Sequence, residues 1–143
     1  MSVRQKPHRI VLASKDTPLA ATFRDKLQTR VVLFTTGSWT DTLSHLESEN
    51  ARMLLLDPRI AGVSLTQAVA ELSTDYPELR IILLTSPTAT KAMDEVTLYK
   101  AGVHGFFQHD ISTALLNKAV QAVCDGELWM PRTLISRIIE DLA

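Results

Sequence analysis

The sequence predicts a single α/β domain in which helices cover both faces of a five-stranded parallel sheet. Short apolar runs alternate five times with segments of helical periodicity, which is typical of repeated βα units. Residues 53–56 and 81–84 are apolar without alternation, as expected of central strands buried on both faces. A chain of 143 residues fits one doubly wound domain of this kind.

The elements follow in order along the chain. The predicted strands cover residues 9–14, 30–35, 52–56, 80–84 and 104–107. The predicted helices cover residues 18–28, 39–48, 64–76, 89–101 and 111–124. Pro18 suits the first turn of the first helix, and Ser64 suits the N-cap of the third. Gly102 and Gly126 are C-terminal stops for the fourth and fifth helices.

An extra helix is predicted after the five βα units. Pro131 is a helix-initiating residue, and the apolar residues that follow recur at spacings of one, three and four, which indicates a short amphipathic helix over residues 132–142. Its apolar stripe contains Leu134, Ile135, Ile138 and Leu142. We expect this stripe either to form a homodimer interface or to fold back onto its own domain.

The composition excludes several classes of function. The net charge is −1 with no block of Lys and Arg, so we do not expect this chain alone to bind DNA. A single cysteine, Cys124, excludes an internal disulfide. No apolar run approaches the roughly 20 residues of a membrane span, and the first one is too short for a signal peptide. We therefore expect a cytoplasmic protein without a membrane partner.

Polar side chains follow three of the predicted strands. Asp16 follows the first strand, Asp57 the third and Thr85 the fourth. Ligands of doubly wound proteins bind in the crevice beyond the carboxyl ends of the strands. The sequence thus predicts a functional site built from these three residues.

This order of strands and polar residues resembles the receiver domain of bacterial response regulators, over residues 8–126. Three segments, KDTPLA, AGVHGFFQHD and AVCDGELWMPR, are similar to those of receivers that precede LuxR-type helix-turn-helix domains. The resemblance implies the flavodoxin-like strand order 2-1-3-4-5 and a receiver domain over residues 1–126. Residues 127–143 would then form a linker and helix leading toward a DNA-binding domain that is not in this chain.

The resemblance also implies roles for individual residues. Asp57 stands at the position that accepts a phosphoryl group from a sensor histidine kinase, Thr85 at the switch hydroxyl and Phe106 at the switch aromatic. His109 stands where the family has a lysine. The alternative interpretations are an Asp57 that caps the following turn, a Phe106 that only packs, and a His109 held by local hydrogen bonds in its loop.

The expected Mg²⁺ site is altered. In the family two acids after the first strand and the acceptor aspartate bind the metal through oxygen. Here the pair is Lys15 and Asp16, so Lys15 disturbs a site made by Asp16 and Asp57. We expect weak Mg²⁺ binding, impaired phosphorylation of Asp57 and, as a hypothesis, an ion pair between Lys15 and Asp57.

The function expected from these features is regulatory and not enzymatic, namely an atypical receiver of a transcriptional response regulator. The alternative is a phosphorylation-independent pseudo-receiver that senses a ligand or binds a partner protein. A small α/β enzyme is a further alternative. The sequence lacks the Asp-x-Asp nucleophile motif and the phosphate-binding loop after the first strand that such an enzyme would need.

Overall fold

The sheet contains five parallel strands, as the sequence predicts. A computed structural model of the chain describes residues 7–27, 30–61, 64–86 and 94–142. The strands are β1 (His8–Ala13), β2 (Val31–Thr36), β3 (Met53–Leu56), β4 (Arg80–Thr85) and β5 (Gly105–Gln108). Their order is β2-β1-β3-β4-β5, which confirms the order implied by the resemblance.

In the described part of the chain, six α-helices flank the sheet. They are α1 (Thr17–Lys26), α2 (Trp39–Ser48), α3 (Leu65–Asp75), α4 (Glu95–Ala101), α5 (Thr113–Cys124) and α6 (Arg132–Leu142), with a 3₁₀ turn at Pro58–Ile60. None of the helices in the described part of the chain is long and apolar enough to cross a bilayer.

Capping side chains set the helix boundaries. Ser112 accepts a hydrogen bond from the backbone N–H of Leu115, so α5 begins at Thr113 and not at residue 111. Leu27 is extended, so the described part of α1 ends two residues before the predicted end at residue 28. Residues 28 and 89–93 of the predicted helices lie outside the described residues.

The core lies on both sides of the sheet because side chains alternate along each strand. Val11, Leu54 and Ile81 pack on the side covered by α2, α3, α4 and α6. Leu55 and Phe107 pack on the other side, which α1 and α5 cover. All four residues of β3 are buried, as the unalternating apolar run predicts.

The segment before α6 extends the sheet beyond β5. The backbone N–H of Phe106 donates to the carbonyl of Trp129 at 2.9 Å, and the N–H of Trp129 donates to the carbonyl of His104 at 3.0 Å. Leu134 and Ile138 of α6 are buried in the core. The prediction that α6 folds back onto its own domain is therefore correct for this half of its apolar stripe.

Gly105 permits the close approach of this segment, and its replacement by Ala is expected to loosen it. An added Cβ would lie 2.7 Å from the carbonyl oxygen of Trp129 and 3.0 Å from Ile82 Cδ1. We expect Gly105→Ala to lower the free energy of unfolding by about 1 kcal/mol, measured by urea denaturation. Gly37→Ala is the control, since nothing lies within 4 Å of its added Cβ. Equal stability of the two variants would contradict this packing.

Candidate functional site

The carboxyl ends of β1, β3 and β4 bring the predicted polar residues to one edge of the sheet. Asp57 follows β3 and is only 2% exposed. Its backbone N–H donates to the carbonyl of Ala13 at 2.9 Å, which continues the pairing of β1 with β3. A cleft of about 390 Å³ lies here, lined by Lys15, Asp16, Asp57, Arg59 and Ile60.

Both carboxylate oxygens of Asp57 accept hydrogen bonds from side chains. Arg59 Nε donates to Oδ1 at 3.0 Å and Arg59 Nη2 donates to Oδ2 at 2.7 Å, so the guanidinium binds the carboxylate in a bidentate fork. The hydroxyl of Ser14 donates to Oδ2 at 2.7 Å. The carboxylate of Asp57 is thus fully engaged within the protein.

Asp57 also begins the 3₁₀ turn. Its Oδ1 accepts a hydrogen bond from the backbone N–H of Arg59 at 3.1 Å, which is the geometry of an N-cap. The interpretation of Asp57 as a turn cap is therefore correct as a local description. The same turn explains the fork, because it folds the side chain of Arg59 back over the carboxylate.

The guanidinium of Arg59 also reaches the second carboxylate of the site. Arg59 Nη2 lies 3.6 Å from Asp16 Oδ2. Asp16 is held in place as the N-cap of α1, where its Oδ1 accepts a hydrogen bond from the N–H of Leu19 at 3.0 Å. Arg59 therefore bridges the two carboxylates while 62% of its side chain remains exposed.

The ionisation of Asp57 follows from these contacts. Burial opposes its charge, but the hydrogen bonds from Arg59 and Ser14 together outweigh burial, and the pKa of Asp57 lies below its ordinary value. The hydrogen bond to Asp57 in turn raises the pKa of Arg59. Both members of the pair are charged at neutral pH.

The hypothesis of an ion pair between Lys15 and Asp57 is wrong. Lys15 is exposed and lines the cleft, but within the described residues the ion-pair partner of Asp57 is Arg59. Arg59 and Ser14 were not among the site residues predicted from the sequence. A cation two residues after an aspartate that begins a turn is the signal that could have found Arg59, because so short a separation lets the two side chains meet.

Among the described residues, the side chains of Thr85, Phe106 and His109 form no hydrogen bond or ion pair with Asp57. The hydroxyl of Thr85 is buried and donates to the carbonyl of Phe107 at 3.4 Å, and Phe106 is buried in the core. His109 donates its backbone N–H to the carbonyl of Thr85 at 2.9 Å. Thr85 ends β4 and His109 follows β5, whereas Phe106 lies within β5 opposite Leu83. Both strands lie on the side of β3 away from β1.

The donor set does not match a tight Mg²⁺ site. No group of three or more His, Cys, Asp or Glu side chains that could hold a metal occurs within residues 7–27, 30–61, 64–86 and 94–142. Asp16 and Asp57 are the two carboxylates of the cleft, and a guanidinium lies between them. Mg²⁺ requires near-octahedral oxygen coordination, which this arginine obstructs.

Comparison with known proteins identifies the fold. No protein-family model matches the chain, and no curated protein matches it by sequence. Among solved structures, it is similar to a LuxR-family two-component response regulator from Aurantimonas sp. SI85-9A1, with a TM-score of 0.76 and 15% identity, over 95% of this chain and 98% of that one.

Two further structures show the same likeness. The isolated receiver domain of RcsB from Salmonella enterica serovar Typhimurium has a TM-score of 0.77 and 18% identity, over 93% of this chain and 98% of that one. A CheY-like receiver domain protein from Methanospirillum hungatei JF-1 has a TM-score of 0.70 and 16% identity, over 85% and 96%. The chain therefore has the receiver fold that its motifs indicated.

Proposed function

We propose that this chain is the regulatory receiver domain of a transcriptional response regulator and that Mg²⁺-dependent phosphorylation of Asp57 is impaired in it. The fold, the motifs and the position of Asp57 at the sheet edge support this proposal. The partners would be a sensor histidine kinase and, through a domain outside this chain, DNA. The protein would act in the cytoplasm as a regulator and not as an enzyme.

The main support for impaired phosphorylation is the bidentate contact of Arg59 with Asp57. A phosphoacceptor carboxylate must present a free oxygen in line with the phosphoryl donor, with positive charge nearby to neutralise the transferred oxygens. Arg59 supplies a cation, but its fork and the hydroxyl of Ser14 occupy both oxygens. Phosphoryl transfer would have to break at least one of these hydrogen bonds.

The electrostatics of the cleft also disfavour a divalent ion. Arg59 lies within contact distance of both carboxylates, and Lys15 lines the same cleft. The charges of Asp16 and Asp57 are therefore already balanced by the chain itself. Mg²⁺ could bind only by displacing Arg59, so we expect its affinity to be low.

The same ion pair favours a second candidate function, a pseudo-receiver controlled by a ligand or partner protein without phosphorylation. Because Arg59 already neutralises Asp57, the ion pair would hold the site in one conformation. Binding of a ligand or partner protein, and not phosphorylation, would then have to change that conformation. The two candidates differ in their dependence on Asp57. Regulation that survives Asp57→Ala would favour the pseudo-receiver.

Incubation with acetyl phosphate and Mg²⁺, read by intact mass, tests the proposal. The reaction would transfer the phosphoryl group to an oxygen of Asp57 and release acetate. We expect little adduct on the wild-type chain and clear accumulation on a Lys15→Asp/Arg59→Met double variant. Adding Asp57→Asn to the double variant should abolish the adduct. Stoichiometric phosphorylation of the wild-type chain would overturn the proposed impairment.

A further inference from the structure

A cavity of about 310 Å³ lies at the edge of the sheet where the parallel strands begin, opposite the edge that carries Asp57. It is lined by the first residues of β1 and β4, the residue before β3, two residues of the loop before β4 and the last residue of α5, namely His8, Arg80, Arg52, Pro77, Glu78 and Cys124. We call it the arginine cavity. It shares no residue with the cleft of Asp57.

The sheet brings the two arginines of this cavity side by side. β3 and β4 are parallel neighbours, and the backbone N–H of Arg80 donates to the carbonyl of Arg52 at 2.9 Å. Side chains two residues apart share a face of a strand, so Arg80 lies on the same face as Ile82, which packs on the side covered by α5. Cys124 at the end of α5 lines the cavity from that side. Two guanidinium-bearing side chains therefore line one small space.

The guanidinium of Arg80 has no acceptor within residues 7–27, 30–61, 64–86 and 94–142. Its side chain is partly buried, yet it forms no hydrogen bond or ion pair with any residue of these ranges. Its charge acts on its surroundings, because burial and the cation of Arg80 together lower the pKa of His104. Partial burial of N–H donors without an acceptor costs free energy, which a bound anion would recover.

The acids near the arginine cavity do not balance its two cations. Glu78 forms an ion pair with Arg52 at 3.5 Å, but the side chain of Arg52 is 66% exposed and that of Glu78 is 84% exposed, so the contact is weak. Asp125 caps the end of α5, where its Oδ1 accepts a hydrogen bond from Gln121 Nε2 at 3.0 Å. It forms no ion pair with either arginine in the described ranges. The lining of the cavity is therefore positive at neutral pH.

We propose that the arginine cavity binds the phosphate group of a small metabolite, with Arg80 as the inner cation, Arg52 as the cation at the rim and His8 as a further hydrogen-bonding group. A phosphate monoester carries a charge of about −1.5 to −2 at pH 7 and three acceptor oxygens, which suits two guanidinium groups. One carboxylate would satisfy only one of them. Since a water occupies about 30 Å³ in the liquid, the cavity accepts about ten non-hydrogen atoms, of which the phosphate takes about half.

Backbone amide shifts during a titration with glycerol 3-phosphate, at constant ionic strength, test this site. We expect saturable shifts centred on Arg52, Arg80 and Cys124, with a dissociation constant of about 1 mM or below. Inorganic phosphate should bind there about threefold more weakly, and succinate, a dicarboxylate of similar size, about tenfold more weakly. Shifts centred on Asp57 and Arg59, or no saturation by about 10 mM, would overturn the proposal. Inorganic phosphate or succinate binding as tightly as glycerol 3-phosphate would overturn the assignment to a phosphorylated metabolite.

Three variants test the part that each arginine plays. Arg80→Met should weaken the binding of glycerol 3-phosphate about tenfold, and Arg52→Met, which removes a more exposed cation, about threefold. Arg132→Met is the matched control, because Arg132 is exposed on α6 and does not line the cavity, and it should bind like the wild type. Equal affinity of Arg80→Met and the wild type would overturn the proposal. The amide spectrum of each variant checks that it is folded.

His104 provides a second measurement that needs no substitution. A phosphate bound to Arg80 would balance its charge, so the pKa of His104 should rise when the wild-type chain is saturated with glycerol 3-phosphate. The Cε1–H shift of His104 followed against pH measures this change. A pKa of His104 that saturation leaves unchanged would show that the anion does not reach Arg80. The binding needs neither a metal nor phosphorylation of Asp57, so it can fail or succeed separately from the proposed receiver function.

Discussion

Replacing Lys15 with Asp and Arg59 with Met is expected to raise the affinity for Mg²⁺ about a hundredfold. The double substitution changes the charge of the cleft by three units. At about 5 Å and an effective dielectric of about 20, each unit interacts with a monovalent charge by about 3 kcal/mol. Because both side chains are exposed to solvent, we expect about 1 kcal/mol per unit, or about 3 kcal/mol in all.

Backbone amide shifts during a Mg²⁺ titration measure this affinity. Lys15→Asp alone retains the contact between Arg59 and Asp57 and should gain only part of the effect. Lys118→Asp, an exposed change on α5, is the control for a general gain of negative charge. Saturation of the wild-type chain below about 1 mM, or a double variant no tighter than the wild type, would contradict the place we assign to Arg59.

Arg59→Met alone is expected to lower the free energy of unfolding at pH 7 by about 2 kcal/mol. Removing one partner of a buried pair costs about 3–5 kcal/mol when both are buried. Arg59 is 62% exposed, so water can partly rehydrate the carboxylate that it leaves, and the cost is smaller. Within the described residues, the buried charge of Asp57 then retains Ser14 alone as a side-chain hydrogen-bond donor.

The difference between wild type and Arg59→Met should shrink as the pH falls. In the wild type the pKa of folded Asp57 is lowered, so its contribution is present above the unfolded pKa of about 3.9 and is lost as the pH falls through the folded value. In the variant, Asp57 has lost the hydrogen bonds from Arg59 that offset burial, so its folded pKa rises. Protonation of Asp57 at low pH then removes the cost of burying its charge. Urea denaturation between neutral and acidic pH measures both curves.

Two controls separate the ion pair from other effects of the substitution. Arg52→Met removes an exposed contact with Glu78 and should change stability by less than about 0.5 kcal/mol. In an Asp57→Asn background, Arg59→Met should have a cost that no longer depends on pH in the range where Asp57 titrates. A wild-type stability equal to that of Arg59→Met at pH 7 would show that the pair contributes nothing.

The strands could be predicted because their burial produces runs of consecutive apolar residues in the sequence. The unalternating apolar runs of β3 and β4 required helices on both faces, and this led to the correct sheet. The predicted starts of α1, α2 and α3 lie within one residue of the observed starts, but α5 was predicted to begin two residues too early. Asp110 and Ser112 both precede α5, and only the geometry shows that Ser112 caps it.

The site was only half predictable. Parallel strands end at one edge of the sheet, so the meeting of Asp16 and Asp57 followed from topology. Topology does not determine which cation pairs with Asp57. Lys15 was expected because it is next to Asp16 in the sequence, but the 3₁₀ turn folds Arg59 onto the carboxylate of Asp57. The burial of α6 could likewise be predicted only in part. The sequence shows one apolar stripe, but which half the domain covers depends on how α6 packs against α4.

The most direct test of the central claim is the Nε–H resonance of Arg59 in a two-dimensional NMR spectrum. If Arg59 holds Asp57 in place of a metal, this proton is hydrogen-bonded to Oδ1, and its signal should be visible at neutral pH and unchanged by Mg²⁺ at about 10 mM. Asp57→Asn should shift or remove the signal. A wild-type signal that Mg²⁺ displaces below about 1 mM would show that the metal, and not the arginine, occupies the site.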